Sequence, residues 1–432
     1  MSSDRNPRRP VAILGRVRIS PAVLTENIAP SRLGRSFRWL LASSIISNIG
    51  DGIALAAGPL LVASQTRDPF LVSMALLSQQ LPNLLFGIPA GAVADRFDRR
   101  RIIAGVNVAR GVVLAILAGT IVAGVVDIAV VLIALFVLGT AEIFADVASG
   151  SLPPRVVPRE DLGIANARLL SAFLLSNQLL GPPIGAFLFS VGMALPFAAN
   201  AACFGLGAWL VTRVATGMAE VAPEQTAKLG NLRTEMVEGL RWLIAHPPMR
   251  TLAVTIIAFN VTFGAAWAVL VLYASERLGM DAVGFGLLTT AIAIGGIVGT
   301  ASYGRLERRF SLADLMRAGL LIETGTHLVL ALTTSATVAL LTMVVFGVHA
   351  FVWGTTSTVV RQRAVPDELL GRVTGVYSVG VIGGMVLGTP IGGLLARAFG
   401  ITAPFWFGFI GSALLVAVLW RQFGHIVHAT EA

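Results

Sequence analysis

The stretch GAVADRFDRRR, residues 91–101, sets four arginines and two aspartates in its last seven positions, directly after a long apolar run. An apolar run that ends in clustered arginines reads as a helix crossing a bilayer and anchored at the cytoplasmic face, because Lys and Arg concentrate on that side. The rest of the chain repeats the pattern. Hydrophobic residues make up 55% of its 432 positions and charged ones only 13%, with a mean hydropathy of +0.80, too apolar for a protein surrounded by water.

A spanning helix needs roughly 20 apolar residues. Runs of that kind predict spans at 37–65, 69–94, 102–124, 127–150, 163–190 and 193–213, and six more at 251–274, 281–304, 313–332, 335–360, 371–396 and 401–420. The connections near 67, 125, 191, 277, 333 and 397 hold Arg67, Arg277 and Arg397, while the other side takes nearly all remaining basic residues. The net charge of +9 is therefore read as membrane orientation, with both termini cytoplasmic, and not as a nucleic-acid surface. The Arg-rich start lacks the apolar core of a cleavable signal peptide and is expected to be a cytoplasmic tail. Cys203 is the only cysteine, which leaves no disulfide framework and no Cys-based metal site.

The two halves resemble each other. VVPREDLGIANA (156–167) matches AVPDELLGRVTG (364–375), GPPIGA (181–186) matches GTPIGG (388–393), and DRFDRR (95–100) matches GRLERR (304–309). Three matches in one order at nearly constant offset indicate parallel repeats, as in secondary transporters. The expectation is an all-α membrane protein of twelve transmembrane helices in two pseudo-symmetric six-helix bundles. Residues 1–36 form a basic tail, 37–213 the first bundle, 214–250 a cytoplasmic linker, 251–420 the second bundle and 421–432 a second tail. In the linker, the apolar positions of 232–246 suit an amphipathic helix on the cytoplasmic surface.

On these residues the chain resembles the major facilitator superfamily. Gly91, Asp95, Arg96, Arg99 and Arg100 match its G-x-x-x-D-R-x-x-R-R loop motif, with Asp98 where Gly is usual. GPPIGA, through Gly181, Pro182 and Gly185, is similar to the antiporter motif of drug exporters, with Asn177 at a usual Gly position. SNIGDGI (47–53), AEIFADVASGSLPPRVVP (141–158) and EGLRWLIAHPPMR (238–250) resemble the macrolide-efflux and enterobactin-exporter branch. The resemblance implies a central cavity lined by spans 1, 4, 7 and 10, a lateral interface of spans 2, 5, 8 and 11, and spans 3, 6, 9 and 12 outside. It implies export of a drug-like or siderophore-like small molecule in exchange for protons, by a monomer in the inner membrane of a bacterium. Import, uncoupled facilitation, or a receptor without flux remain alternatives within the same fold.

Ionisable groups inside a span need a partner, water or a function. Asp51 lies about 20 Å along the first span from Arg38, where a carboxylate can take up a proton or hold a cation. Glu142 and Asp146 share a face of the fourth span, and Arg110 in the third is expected to pair with them. Glu323 and His327 are expected to form a local pair on a peripheral helix. The amides Asn48, Gln79, Gln80, Asn83, Asn177, Gln178 and Asn260 either line a cavity or join helices, and Trp267 and Trp353 are candidates for an aromatic wall. For the loop motif, Asp95 needs a reason beyond anchoring. Bonding to Arg96 or Arg99, or facing a helix amino terminus, it would latch the cytoplasmic side in one state. Other classes lack support: the only lysine, Lys228 in TAKLG, cannot complete a phosphate loop, and the five histidines show neither metal nor catalytic spacing. No cofactor is expected.

Overall fold

The computed structural model describes residues 30–215, 229–420 and 422. The expected tails at 1–29 and 423–432, and linker residues 216–228, lie outside them. Among the described residues the regular structure is entirely helical. Eleven helices are long and apolar enough to cross a membrane, and a shorter apolar one, Ala403–Leu419, completes the twelve.

In the first half these are α1 (Gly34–Gln65), α2 (Pro69–Arg96), α3 (Arg99–Val122), α4 (Ile128–Gly150), α5 and α6 (Leu195–Thr212). The linker contributes α7 (Leu229–Ala245). The second half holds α8 (Pro247–Trp267), α9 (Ala282–Arg309), α10 (Leu312–Leu332), α11 (Ala336–Ala364), α12 (Asp367–Phe399) and α13 (Ala403–Leu419). Side-chain caps set several starts. Asp68, Asp98, Asp127, Asp281, Ser311 and Ser335 each accept a backbone N–H of the first turn. Asp98, the departure from the usual loop motif, thus serves as the N-cap of α3.

Helix α5 is composite: Leu162–Phe173 is α-helical, Leu174–Leu180 is a π-helix, and Gly181–Val191 is α-helical again. Pro182 and Pro183 lack N–H groups, so carbonyls one turn back lose their regular partners, and the wider π turn takes up the mismatch. The irregularity that the Gly-Pro motif imposes therefore spreads into the seven residues before it. Glycine then brings backbones together: a Cβ at Gly185 would lie 2.5 Å from the Ile53 carbonyl oxygen of α1. The repeat does the same in the second half. Gly388 and Gly392 of α12, which match Gly181 and Gly185, lie against the carbonyls of Val261 and Ala265 on α8, so the sequence repeat is also a repeat of helix contacts.

The halves meet where α2 packs on α12 and α9 on the Leu174–Val191 part of α5, the helices expected at the lateral interface. These contacts gather at the arginine-poor end. Gly393 lies against Phe70 and Ser73, and Gly286 against Pro182 and Ala186. Arg67 pairs with Glu276 at 3.6 Å and Arg397 with Asp68 at 3.6 Å. At the other end, Gly91 on α2 and Gly371 and Gly375 on α12 have open space where a side chain would stand. The close contacts of Gly393 and Gly286 between the halves, and the Arg67–Glu276 and Asp68–Arg397 ion pairs, all lie at the arginine-poor end.

Helix α7 packs on α12, with Gly239 against Arg372 and Glu238 bound to Arg372 at 2.6 Å; of its apolar side chains Leu243 is buried, while Leu240 and Ile244 are left exposed by the protein.

Candidate functional site

The first half holds a buried charge cluster. Asp51 stands on α1 beside glycines that admit α5 and α6: a Cβ at Gly52 would sit 2.5 Å from the Asn177 carbonyl oxygen, and one at Gly50 would collide with the Asn200 side chain. From α3, Arg110 donates a hydrogen bond to Asp51 Oδ1, with its guanidinium carbon 3.9 Å from the centre of the Phe204 ring on α6. Glu142 of α4 is 3.7 Å from the same guanidinium nitrogen. The arginine thus has a carboxylate on one side, a ring face below it and a second carboxylate within reach.

This corrects the expected pairing in two respects. Asp51, read alone, is the primary partner of Arg110, and Asp146 makes no ion pair or hydrogen bond among the described residues. Asp51 and Arg110 are almost completely enclosed, while the Glu142 side chain is 42% exposed. All three line one cavity, and Glu142 is the member most open to it. That cavity, about 80 Å³, is also lined by Gln79, Gln80, Asn83 and Asn200. Asn48 does not take part: its amide donates back to the Ser44 carbonyl of its own helix at 2.8 Å.

The second half presents an aromatic cavity of about 250 Å³, lined by Phe259, Asn260, Phe263, Phe346 and Trp353. Ring pairs build the wall, Phe259 with Trp353 at 5.3 Å and Phe263 with Phe346 at 5.5 Å between centres. Trp267 continues it, stacked on Phe263 at 5.1 Å. Glu323 and His349 also line this cavity, so α10 is not peripheral to it as expected. The expected local pair is a three-residue cluster: Glu323 Oε1 is 3.1 Å from His327 Nε2, and Oε2 is 3.2 Å from His349 Nε2 on α11. Two of the histidines read as scattered converge on one carboxylate. No grouping of His, Cys, Asp and Glu among the described residues suits a metal ion.

The loop-motif residues lie at the arginine-rich end. Asp95 is 3.5 Å from Arg99, and Arg96 is exposed without an ion pair among the described residues. Asp98 accepts from the Arg100 backbone N–H at 2.9 Å and from its guanidinium at 3.0 Å, and the Arg100 guanidinium holds its carboxyl below the usual carboxylate range. Arg100 also donates to the Val214 carbonyl at the end of α6, at 2.8 Å. A Cβ at Gly91 would meet nothing within 4 Å. Among the described residues Asp95 has no ion-pair partner from the second half.

Comparison with known proteins agrees with this architecture. The multidrug efflux pump Tap of Mycolicibacterium fortuitum is 26% identical over 385 residues, covering 85% of this chain and 90% of that protein. An uncharacterised major-facilitator-type transporter of Mycobacterium tuberculosis is 37% identical over 171 residues, 36% of this chain and 38% of its own. Among solved structures, a bacterial homologue of the lysosomal transporter Spinster aligns over 92% of this chain and 96% of its own with a TM-score of 0.67 at 16% identity. The nucleoside transporter NupG aligns over 91% and 100% with a TM-score of 0.72 at 12% identity. The transmembrane secretion effector family matches residues 25–431. The chain therefore belongs to that family of major facilitator transporters, as a multi-pass protein of the bacterial inner membrane that carries a small molecule and is not an enzyme.

Proposed function

We propose that the protein exports an amphipathic, drug-like molecule, cationic in at least part of its substrate range, in exchange for protons by alternating access. The observation that carries this reading is the Asp51–Arg110–Glu142 cluster, a buried carboxylate bound to a permanent cation with a second carboxylate at 3.7 Å. Arg110 stays charged at any working pH, so it always needs a carboxylate partner. When Asp51 takes a proton, Arg110 loses that partner and turns toward Glu142, with Asp146 one turn farther along α4. The exchange moves the arginine between α1 and α4, and those helices meet across the cavity in the first half.

In this reading the arginine-rich, cytoplasmic end is open to receive substrate. The ion pairs Arg67–Glu276 and Asp68–Arg397 hold the outer end shut and must break for release. The Gly91–Arg100 loop acts as the opposing latch, with Asp95 finding a partner in the second half once the cytoplasmic end closes. Export is further supported by the likeness to the Mycolicibacterium relative, a multidrug efflux pump.

The test is dye movement in proteoliposomes. With an imposed pH gradient, wild type should drive ethidium across the membrane and Asp51→Asn, at matched protein content, should not. Movement that ignores both the gradient and the substitution would identify a facilitator and end the exchange reading.

A further inference from the structure

Glu323 lies in the middle of α10 with its side chain 4% exposed and both carboxylate oxygens directed at imidazoles. His327 and His349 are equally enclosed, and glycines make the room for them. A Cβ at Gly319 would lie 2.9 Å from His349 Nδ1, and one at Gly408 2.5 Å from His327 Nδ1. Among the described residues no other charged side chain is paired with the cluster. Helix α13 has no ionisable residue, and those of α8, α9 and the rest of α10 and α11, namely Arg250, Tyr303, Arg305, Glu307, Arg308, Arg309, Asp314, Arg317, Arg361 and Arg363, stand at the arginine-rich ends. A carboxylate this deep in a membrane needs a partner that offsets its charge, and the two imidazoles are the groups placed to supply one.

The 250 Å³ cavity touches the same cluster and offers the faces of Phe259, Phe263, Phe346 and Trp353 to whatever enters it. A carboxylate beside several aromatic faces is a receptor for an organic cation. We propose that Glu323, His327 and His349 form a second cation site, in which a hydrophobic organic cation and the imidazole proton alternate as counter-charge to Glu323. On binding, the cation enters the aromatic cavity, the imidazolium gives its proton to water, and the site keeps its net charge: one cation in, one proton out. The inference rests on the reading that the chain handles organic cations, and adds a site in the half opposite Asp51.

Calorimetric titration of the purified full-length protein with tetraphenylphosphonium, in two buffers of different ionisation enthalpy, counts protons released per cation bound. The expected result is proton release by wild type, approaching one per cation as pH is lowered, with affinity weakening in parallel. Glu323→Gln should bind at least about tenfold more weakly and release none, while Glu323→Asp, which keeps the charge if the amide variant fails to fold, should retain release. Buffer-independent heats in wild type, or unchanged affinity and release in Glu323→Gln, would overturn the site. So would release lost in Asp51→Asn but kept in Glu323→Gln, although proton coupling through the first half would then stand. A wild type that binds no tetraphenylphosphonium overturns this site, whereas gradient-driven transport of another substrate would leave the exchange reading intact.

Discussion

The two halves, related by repeat, solve the same electrostatic problem with different partners. In the first, Asp51 is neutralised by an arginine, whose charge is fixed. In the second, Glu323 is held by two histidines, whose charge depends on pH. A fixed counter-ion means that proton uptake must displace an ion pair and move a side chain. A titratable counter-ion lets charge be exchanged in place, without a helix moving. The first arrangement suits a conformational switch and the second a binding site, which is the division of labour that variants can break or sharpen.

The largest effect is expected from Arg110→Gln. It leaves Asp51 and Glu142 without a cation inside the membrane, and breaking a buried pair from one side costs about 3–5 kcal/mol. Folded yield and transport should both fall, and Asp51→Asn added to it should restore yield without transport. Yield unaffected by Arg110→Gln would mean that the pair is not the counter-charge described. Glu323→Gln should cost less, about 1–3 kcal/mol by thermal unfolding, because neutral imidazoles can still bond to an amide. An equal loss in both variants would erase the distinction between fixed and titratable partners.

Smaller effects belong to the ends. Arg67→Ala with Arg397→Ala removes two exposed ion pairs, each worth about 0–1 kcal/mol. It should leave unfolding nearly unchanged while exposing the outer end to labelling of a cysteine placed at Ser73. Unchanged labelling would show that helix packing alone closes that end. The smallest effect is at Asp98, whose side chain is 37% exposed. Its carboxyl is held low by Arg100, so its contribution is present above the ordinary carboxylate value of about 4 and is lost as pH falls through the lower folded value. Asp98→Asn should lower the melting temperature slightly at pH 7, and the gap should close in acid. A gap that widened in acid would reverse the assigned sign.

Much of this could be read from the sequence because bilayer thickness imposes length. The apolar runs located all twelve helices, and the repeat read from the match of 181–186 with 388–393 recurs as paired contacts of α5 with α1 and α12 with α8. Asp51, Arg110 and Glu142 were visible singly, since charge inside an apolar run stands out. The Arg110–Glu142 pairing was expected and is present at 3.7 Å, but Asp51 as the hydrogen-bonded partner was not legible, because which carboxylate meets Arg110 depends on the rotation of α1 against α3. His349 went unnoticed: it is 26 residues from Glu323 on another helix, with only apolar neighbours in sequence. The requirement that any ionisable residue within a span have a partner, applied to histidine as strictly as to aspartate, would have flagged it. Asn200 lacks even that signal, since a lone amide in a span is commonly a packing residue.

The most direct test of proton exchange is thermodynamic. Proteoliposomes containing wild-type protein, with voltage clamped to zero by potassium and valinomycin, are loaded with equal tetraphenylphosphonium on both sides and given a pH step. The account predicts net movement of the cation against its own developing gradient, toward the acidic side, until the two gradients balance. A cation that stays at equal concentration across the step, in a preparation shown to exchange it, would contradict the account.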